Sequence, residues 1–207
     1  MIRNRVLLAT RSVGKLGELK GILEEAGITR VSLEDAGIAE SPDEDGIECH
    51  DTFEANAIAK ARHFNAMTGI PTMADDSGLS VRALGGAPGV WSKRFAGRKD
   101  LSGQALDDAN NEKLSTSLRI NDDVSASYLC AAAFVDGDVA VVAMGETSGL
   151  IVAEPLGKSG FGYDPYFFSD ELGLTFGQAS TEAKQRISHR GRAFRALVQA
   201  MRDGGLI

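Results

Sequence analysis

Hydrophobic positions open the chain as a short run and then settle into helical stripes. Residues 6–9 are fully apolar and give way to polar residues and Gly14, the pattern of a buried strand and its turn. Leu16, Leu19, Ile22 and Leu23 repeat at helical spacing as far as Gly27, and residues 31–33 predict a second strand. Residues 34–50 are acidic, contain Pro42 and Gly46 and show no period, so they read as a loop. The next helix begins at Asp51 or Thr52. Asp51 and Glu54 have capping-box spacing, Phe53, Ala57, Ala61 and Phe64 mark one apolar face, and Gly69 stops the helix. Residues 71–74 form a short strand that runs into Asp75-Asp76-Ser77-Gly78, and residues 79–84 are read as a further piece of sheet.

The second half repeats these signals in a different order. A glycine-punctuated loop, Gly85 to Trp91, leads to a helix over 103–118. Residues 127–135 and 139–146 are strand-like about Asp136-Gly137-Asp138, a hairpin turn. Another glycine-rich loop, 157–164, precedes Pro165-Tyr166-Phe167-Phe168. A C-terminal helix from near Ser188 carries Phe194, Leu197, Val198 and Met201 at i, i+3, i+4 and i+7. Early alternation of strands and helices followed by a hairpin gives an α/β class with a mixed sheet. The 207 residues are read as a single domain, 1–207.

Charge narrows the partners. With a formal net charge of −7, the surface suits no nucleic-acid polymer, although a basic cluster or a metal can still hold a small phosphorylated ligand. The two cysteines, Cys49 and Cys130, make neither a disulfide framework nor a metal-ligand spacing, which fits a reducing, cytoplasmic setting. The apolar run near the start is too short for a signal-peptide core or a membrane span.

Four segments carry candidate chemistry. Asp75-Asp76 sits at the end of the expected strand, and successive strand side chains face opposite sides, so one aspartate is expected to face a site. Carboxylate oxygen there suits Mg²⁺; a solvated turn capped by aspartate explains the same residues. Thr10-Arg11-Ser12-Val13-Gly14-Lys15 lies between strand and helix, where backbone N–H groups, a hydroxyl and a lysine can bind phosphate, although it is not a Walker A loop. Gly160-Phe161-Gly162-Tyr163-Asp164 displays an aromatic ring between glycines, able to stack on a nucleobase; Phe167 and Phe168 are read as core. Lys184, Arg186, His189 and Arg190 gather cations near a helix start, an arrangement opposed by the helix dipole unless an anion or base carbonyl answers it.

Taken in order, these segments resemble the RdgB/inosine triphosphate pyrophosphatase family. The markers are Leu8-Ala9-Thr10 through Lys15, Thr52-Phe53-Glu54-Ala55-Asn56-Ala57 with Lys60, Ala74-Asp75-Asp76-Ser77-Gly78-Leu79, and Gly85-Gly86-Ala87-Pro88-Gly89 through Arg94. Phe161-Gly162-Tyr163-Asp164-Pro165 and Ile187-Ser188-His189-Arg190-Gly191 complete the set. The resemblance implies an elongated mixed α/β sheet flanked by helices, with two lobes and an active-site cleft between them, usually as a homodimer. It implies hydrolysis of inosine and xanthosine triphosphates, ribo or deoxy, to monophosphate and pyrophosphate. By that likeness Asp76 is the catalytic, Mg²⁺-linked aspartate, with Glu44, or alternatively Asp43, as the second metal ligand. Thr10, Arg11, Ser12, Val13, Gly14, Lys15 and Lys60 would hold the triphosphate, and Ser77 would touch the substrate. Phe161 would stack on the base, with Asp164, Lys184, His189 and Arg190 framing it. Gly162, Tyr163 and Arg94 join the substrate-binding set.

Two departures stand out: Ser12 occupies a place where the family usually has Asn, and the loop before Thr52 is a few residues longer than usual. Two rivals remain, a Maf-type pyrophosphatase with another base preference and a nucleotide-binding module without catalysis.

Overall fold

A computed structural model describes residues 4–207, save the side chains of Asp43 and Asp45. The elements run β1 (Arg5–Leu8), α1 (Val13–Glu25), β2 (Thr29–Val31), α2 (Phe53–Thr68), β3 (Thr72–Val81), α3 (Gly103–Ser117), β4 (Ser125–Asp136), β5 (Val139–Ile151), β6 (Phe167–Ser169), β7 (Leu174–Thr175), α4 (Thr181–Ile187) and α5 (His189–Asp203). The seven strands lie in the order β2-β1-β3-β4-β5-β6-β7. β1 is parallel to β2 and β3, while β6 is antiparallel to β5 and β7, so the sheet is mixed.

The chain divides into two compact units, each with its own apolar core. The first comprises the residues through Asp76, Cys130–Gly145 and Arg190–Ile207; the second comprises Ser77–Leu129 and Glu146–His189. In the first, Val6 and Leu8 of β1, Leu19, Ile22 and Leu23 of α1, and Cys130, Ala132 and Phe134 of β4 pack with Phe194, Leu197 and Met201 of α5. The stripe expected on the C-terminal helix is therefore the buried face, each large side chain contributing about 1.5–3 kcal/mol of burial. In the second, Leu79 and Val81 of β3 pack with Leu114 of α3, Tyr128 of β4, Phe167 and Phe176.

Three local readings change. β3 does not stop at Asp75-Asp76 but passes through both to Val81, where Arg82–Leu84 turns as a 3-10 helix. A strand can carry two aspartates in its middle because the pleat sends them to opposite faces, where each finds partners. The C-terminal helix starts at His189, as expected, but the residues before it form a helix of their own, α4, which ends at Ser188, whose ψ of 149° is extended. The cap of α2 is Thr52, whose hydroxyl accepts the Ala55 N–H, rather than Asp51. Among the described residues no helix is long and apolar enough to cross a membrane.

Candidate active site

The turn after β1 is built by short hydroxyl caps. Thr10 Oγ1 accepts the Ser12 N–H at 3.2 Å, and Ser12 Oγ accepts the Lys15 N–H at 3.3 Å, which starts α1. Serine is as good an N-cap as asparagine, so the departure at Ser12 leaves the local fold intact. Val13 is the exposed first residue of the helix, and Gly14 follows it half-buried.

Lys15 leaves this turn and reaches Asp75, Nζ to Oδ2 2.9 Å. Asp75 is fully buried on β3 and also accepts from Arg190 Nε at 3.1 Å, with the Cys130 thiol 4.0 Å away. Arg190 in turn donates to Glu18. Burial alone would push the Asp75 carboxyl up, but Lys15, Arg190 and Lys60 outweigh it and hold it far below the usual carboxylate range. Burial likewise disfavours the Arg190 cation, and the charges of Asp75 and Glu18 overcome that. Arg190 was expected to frame a base; its guanidinium pairs with these two carboxylates of the first unit.

Asp76 occupies the opposite face of β3. Asn56, wholly buried on α2, donates to Asp76 Oδ2 at 2.8 Å and also brackets His50, accepting its N–H at 2.8 Å and donating to its C=O at 3.2 Å. Burial and then the charge of Glu48 raise the Asp76 pKa, only partly offset by Asn56, Lys15 and Lys60. Lys60 pairs with Glu48. Glu48 is held ionised because Lys60 and Lys15 together outweigh its burial.

The expected second metal carboxylate, Glu44, is paired with Arg11. Arg11 grips it with both faces of its guanidinium, Nε to Oε2 2.9 Å and Nη2 to Oε1 2.5 Å, and donates to the carbonyls of Ile38 and Ala39. This fork lowers the Glu44 pKa and fastens the acidic loop to the first turn of α1. The acidic-loop carboxylate whose charge falls on Asp76 is Glu48, and the Asp43 side chain lies outside the described residues. Glu18, Glu48 and Asn56 were missed as functional groups. A buried amide inside the apolar face of α2 was the one signal that could have found Asn56.

The second unit gathers the aromatic and remaining basic groups. Asp164 Oδ2 accepts the Phe161 N–H at 2.8 Å and Lys184 Nζ at 2.6 Å, and the Tyr128 hydroxyl donates to Oδ1 at 3.4 Å. The Lys184 ammonium also lies over the rings of Phe161 and Phe176, 4.9 Å and 5.3 Å from their centroids. His189 stacks on Tyr128 with centroids 4.5 Å apart and planes within 6°. Tyr163 is buried and donates its hydroxyl to the Ser92 carbonyl at 2.7 Å, a loop brace rather than an open contact. Arg94 is exposed and lies over Trp91, 4.7 Å from its centroid. Ser77 is half-buried on β3, next to Asp76. His189 and Arg190 are thus neighbours in the chain that serve different units.

These motifs extend over nearly the whole chain, and the sequence matches the Ham1 family over residues 6–200. The chain belongs to the Ham1 family. This Ham1-family chain is 42% identical over 203 residues to a dITP/XTP pyrophosphatase of Nitrosomonas europaea, covering 97% of this chain and 95% of the relative. It is 40% identical over 205 residues to a dITP/XTP pyrophosphatase of Escherichia coli, covering 97% and 99%. Among solved structures, a HAM1 protein from Coxiella burnetii superposes with a TM-score of 0.82 at 34% identity, covering 96% of this chain and 98% of that one.

One prediction arises from the loop itself. Gly160 of this Ham1-family chain has φ +77°, and a Cβ there would lie 2.0 Å from Asp164 Oδ2. Gly160→Ala is expected to break the Asp164 bridge between Phe161 and Lys184, at a stability cost of about 2 kcal/mol or more. Thermal unfolding measures it, and a melting temperature equal to that of the parent chain refutes it.

Proposed function

We propose that this chain hydrolyses dITP, XTP and related non-standard purine nucleoside triphosphates to the monophosphate and pyrophosphate, with Mg²⁺ as cofactor. The observation that carries the reading is the setting of Asp76: burial and the neighbouring Glu48 carboxylate disfavour its ionised form although Asn56, Lys15 and Lys60 act the other way, and a divalent cation held by the two carboxylates would favour it. Asp76 and Glu48 would hold Mg²⁺, replacing the expected pair of Asp76 and Glu44. Among the described residues no cluster of three metal-ligating side chains occurs, which suits an ion that takes one or two carboxylates and leaves its other positions to water and phosphate. When bound, Mg²⁺ neutralises charge on the phosphate oxygens and the departing pyrophosphate.

The chain's own groups supply the rest. Asp76, with its proton affinity raised, orients and deprotonates the water that attacks the α-phosphorus. Lys15 and Lys60 and the N–H groups of the first turn of α1 meet the triphosphate. Phe161 stacks on the base, and Lys184 and His189 present donors to the purine 6-oxo group. Adenine offers a donor at that place, which would leave buried donors unanswered. The family likeness further supports a homodimer, and the two free thiols suit a cytoplasmic setting.

The test supplies Mg²⁺ and compares dITP, XTP, dTTP, UTP, dATP and dGTP, identifying the released product. Preference for dITP and XTP with pyrophosphate release is expected, abolished by EDTA and restored by excess Mg²⁺. A pyrimidine preference, orthophosphate as the product, or full activity in EDTA overturns the reading.

A further inference from the structure

Gly162 has φ +60°, and the backbone on both sides of it is held from α3. Asp107 accepts the Gly162 N–H at 2.9 Å, and Asn111, one helical turn on, donates Nδ2 to the Gly162 carbonyl at 3.0 Å. The next residue back, Asn110, treats a second segment in the same way: it accepts the Ala96 N–H at 2.7 Å and donates to the Lys93 carbonyl at 3.0 Å. These polar side chains are costly to the helix. Burial raises the Asp107 pKa despite the Gly162 N–H, and Asn111 is 7% exposed with its Oδ1 lacking a hydrogen-bond partner among the described residues. An apolar residue at either position would bury as well without a desolvation penalty, so packing alone does not account for them. What they share is the loop that displays Phe161.

We propose that Asp107 and Asn111 are positioning residues for substrate-base binding, fixing the backbone at Gly162 so that the half-buried Phe161 ring is already ordered when a purine arrives. The inference rests on the reading of Phe161 as the base-stacking residue. Asp164 ties the Phe161 N–H from within the loop, and α3 ties the next residue from outside it. A ring held in this way loses less freedom on binding. Stacking is the same in the ground and transition states, so its loss raises KM and leaves kcat alone.

The experiment measures dITP hydrolysis by the full chain with Mg²⁺ for Asp107→Ala, Asn111→Ala and Phe161→Ala, together with their melting temperatures. All three are expected to raise KM about tenfold while kcat stays within about twofold of the parent, as for a partial loss of base stacking. Asp107→Asn keeps an acceptor oxygen for the Gly162 N–H and is expected to restore the parent KM. A raised KM in Phe161→Ala with a parental KM in both α3 variants overturns the positioning role while leaving the base reading intact. A parental KM in Phe161→Ala overturns the base reading and the positioning role with it. Lowered melting temperatures with unchanged KM reduce Asp107 and Asn111 to structural residues and overturn the proposal.

Discussion

Asp76→Asn is expected to lower kcat for dITP by about 10³-fold or more, the scale of a lost general base, while leaving the fold as stable as before or more so. Activity falls because an amide neither accepts the proton of the attacking water nor supplies anionic oxygen to a metal. The fold holds because Asn56 still finds an acceptor: the new amide can offer its oxygen where Oδ2 now takes the Asn56 proton at 2.8 Å. The sign of the stability change follows from the raised pKa of Asp76. A carboxyl whose folded pKa lies above its unfolded value costs the fold stability as pH rises through the folded value. Substituting the neutral amide removes that cost together with the repulsion from Glu48. Pyrophosphate release and thermal unfolding, the latter in EDTA, measure the two halves. A kcat within tenfold of the parent, or a melting temperature several degrees lower, would contradict this account of Asp76.

The division of labour between the two aspartates was legible in the sequence, but their setting was not. Asp75 and Asp76 were separable in advance because strand alternation must send them to opposite faces, and the structure divides them into one fully buried carboxylate and one at 9% exposure. That β3 continues past them was not legible. The reason lies in Lys15, Arg190 and Asn56, whose partners are 60, 115 and 20 residues away along the chain. The helix faces of α2 and α5 and the stop at Gly69 were local properties and could be read directly. Glu48 could not be told from Glu44 by loop spacing; the fold pairs Glu44 with Arg11 and Glu48 with Lys60, and it is the Glu48 charge that falls on Asp76. The role of α3 was hidden for a similar reason. Asp107, Asn110 and Asn111 look like ordinary surface polar residues until the loops they brace are folded against them.

The largest expected loss of stability belongs to Arg190→Met. Arg190 is 2% exposed and lies between Glu18 on α1 and Asp75 on β3, so its removal takes a paired cation from two buried carboxylates, while Lys15 and Lys60 still act on Asp75. Breaking a buried ion network by deleting one partner costs about 3–5 kcal/mol, roughly 6–20 °C in melting temperature for a chain of this size. The deficit should narrow as pH is lowered from about 5 to about 3, through the ordinary carboxylate range. In the parent chain the pKa of Asp75 is depressed, so its contribution is intact above the unfolded value and is lost only as pH falls through the folded one. In the variant one of the cations that produce this depression is gone, so the Asp75 carboxyl lies nearer its ordinary value and has less stability to lose toward acid than the parent's. Adding Glu18→Leu to Arg190→Met removes one of the two carboxylates that lose the Arg190 pair and should recover part of the deficit. Urea unfolding of the parent, the single variant and the double variant at both pH values tests each step. A deficit that is constant with pH, or a double variant less stable than the single one, would mean that Arg190 acts through packing of its aliphatic stem rather than through charge.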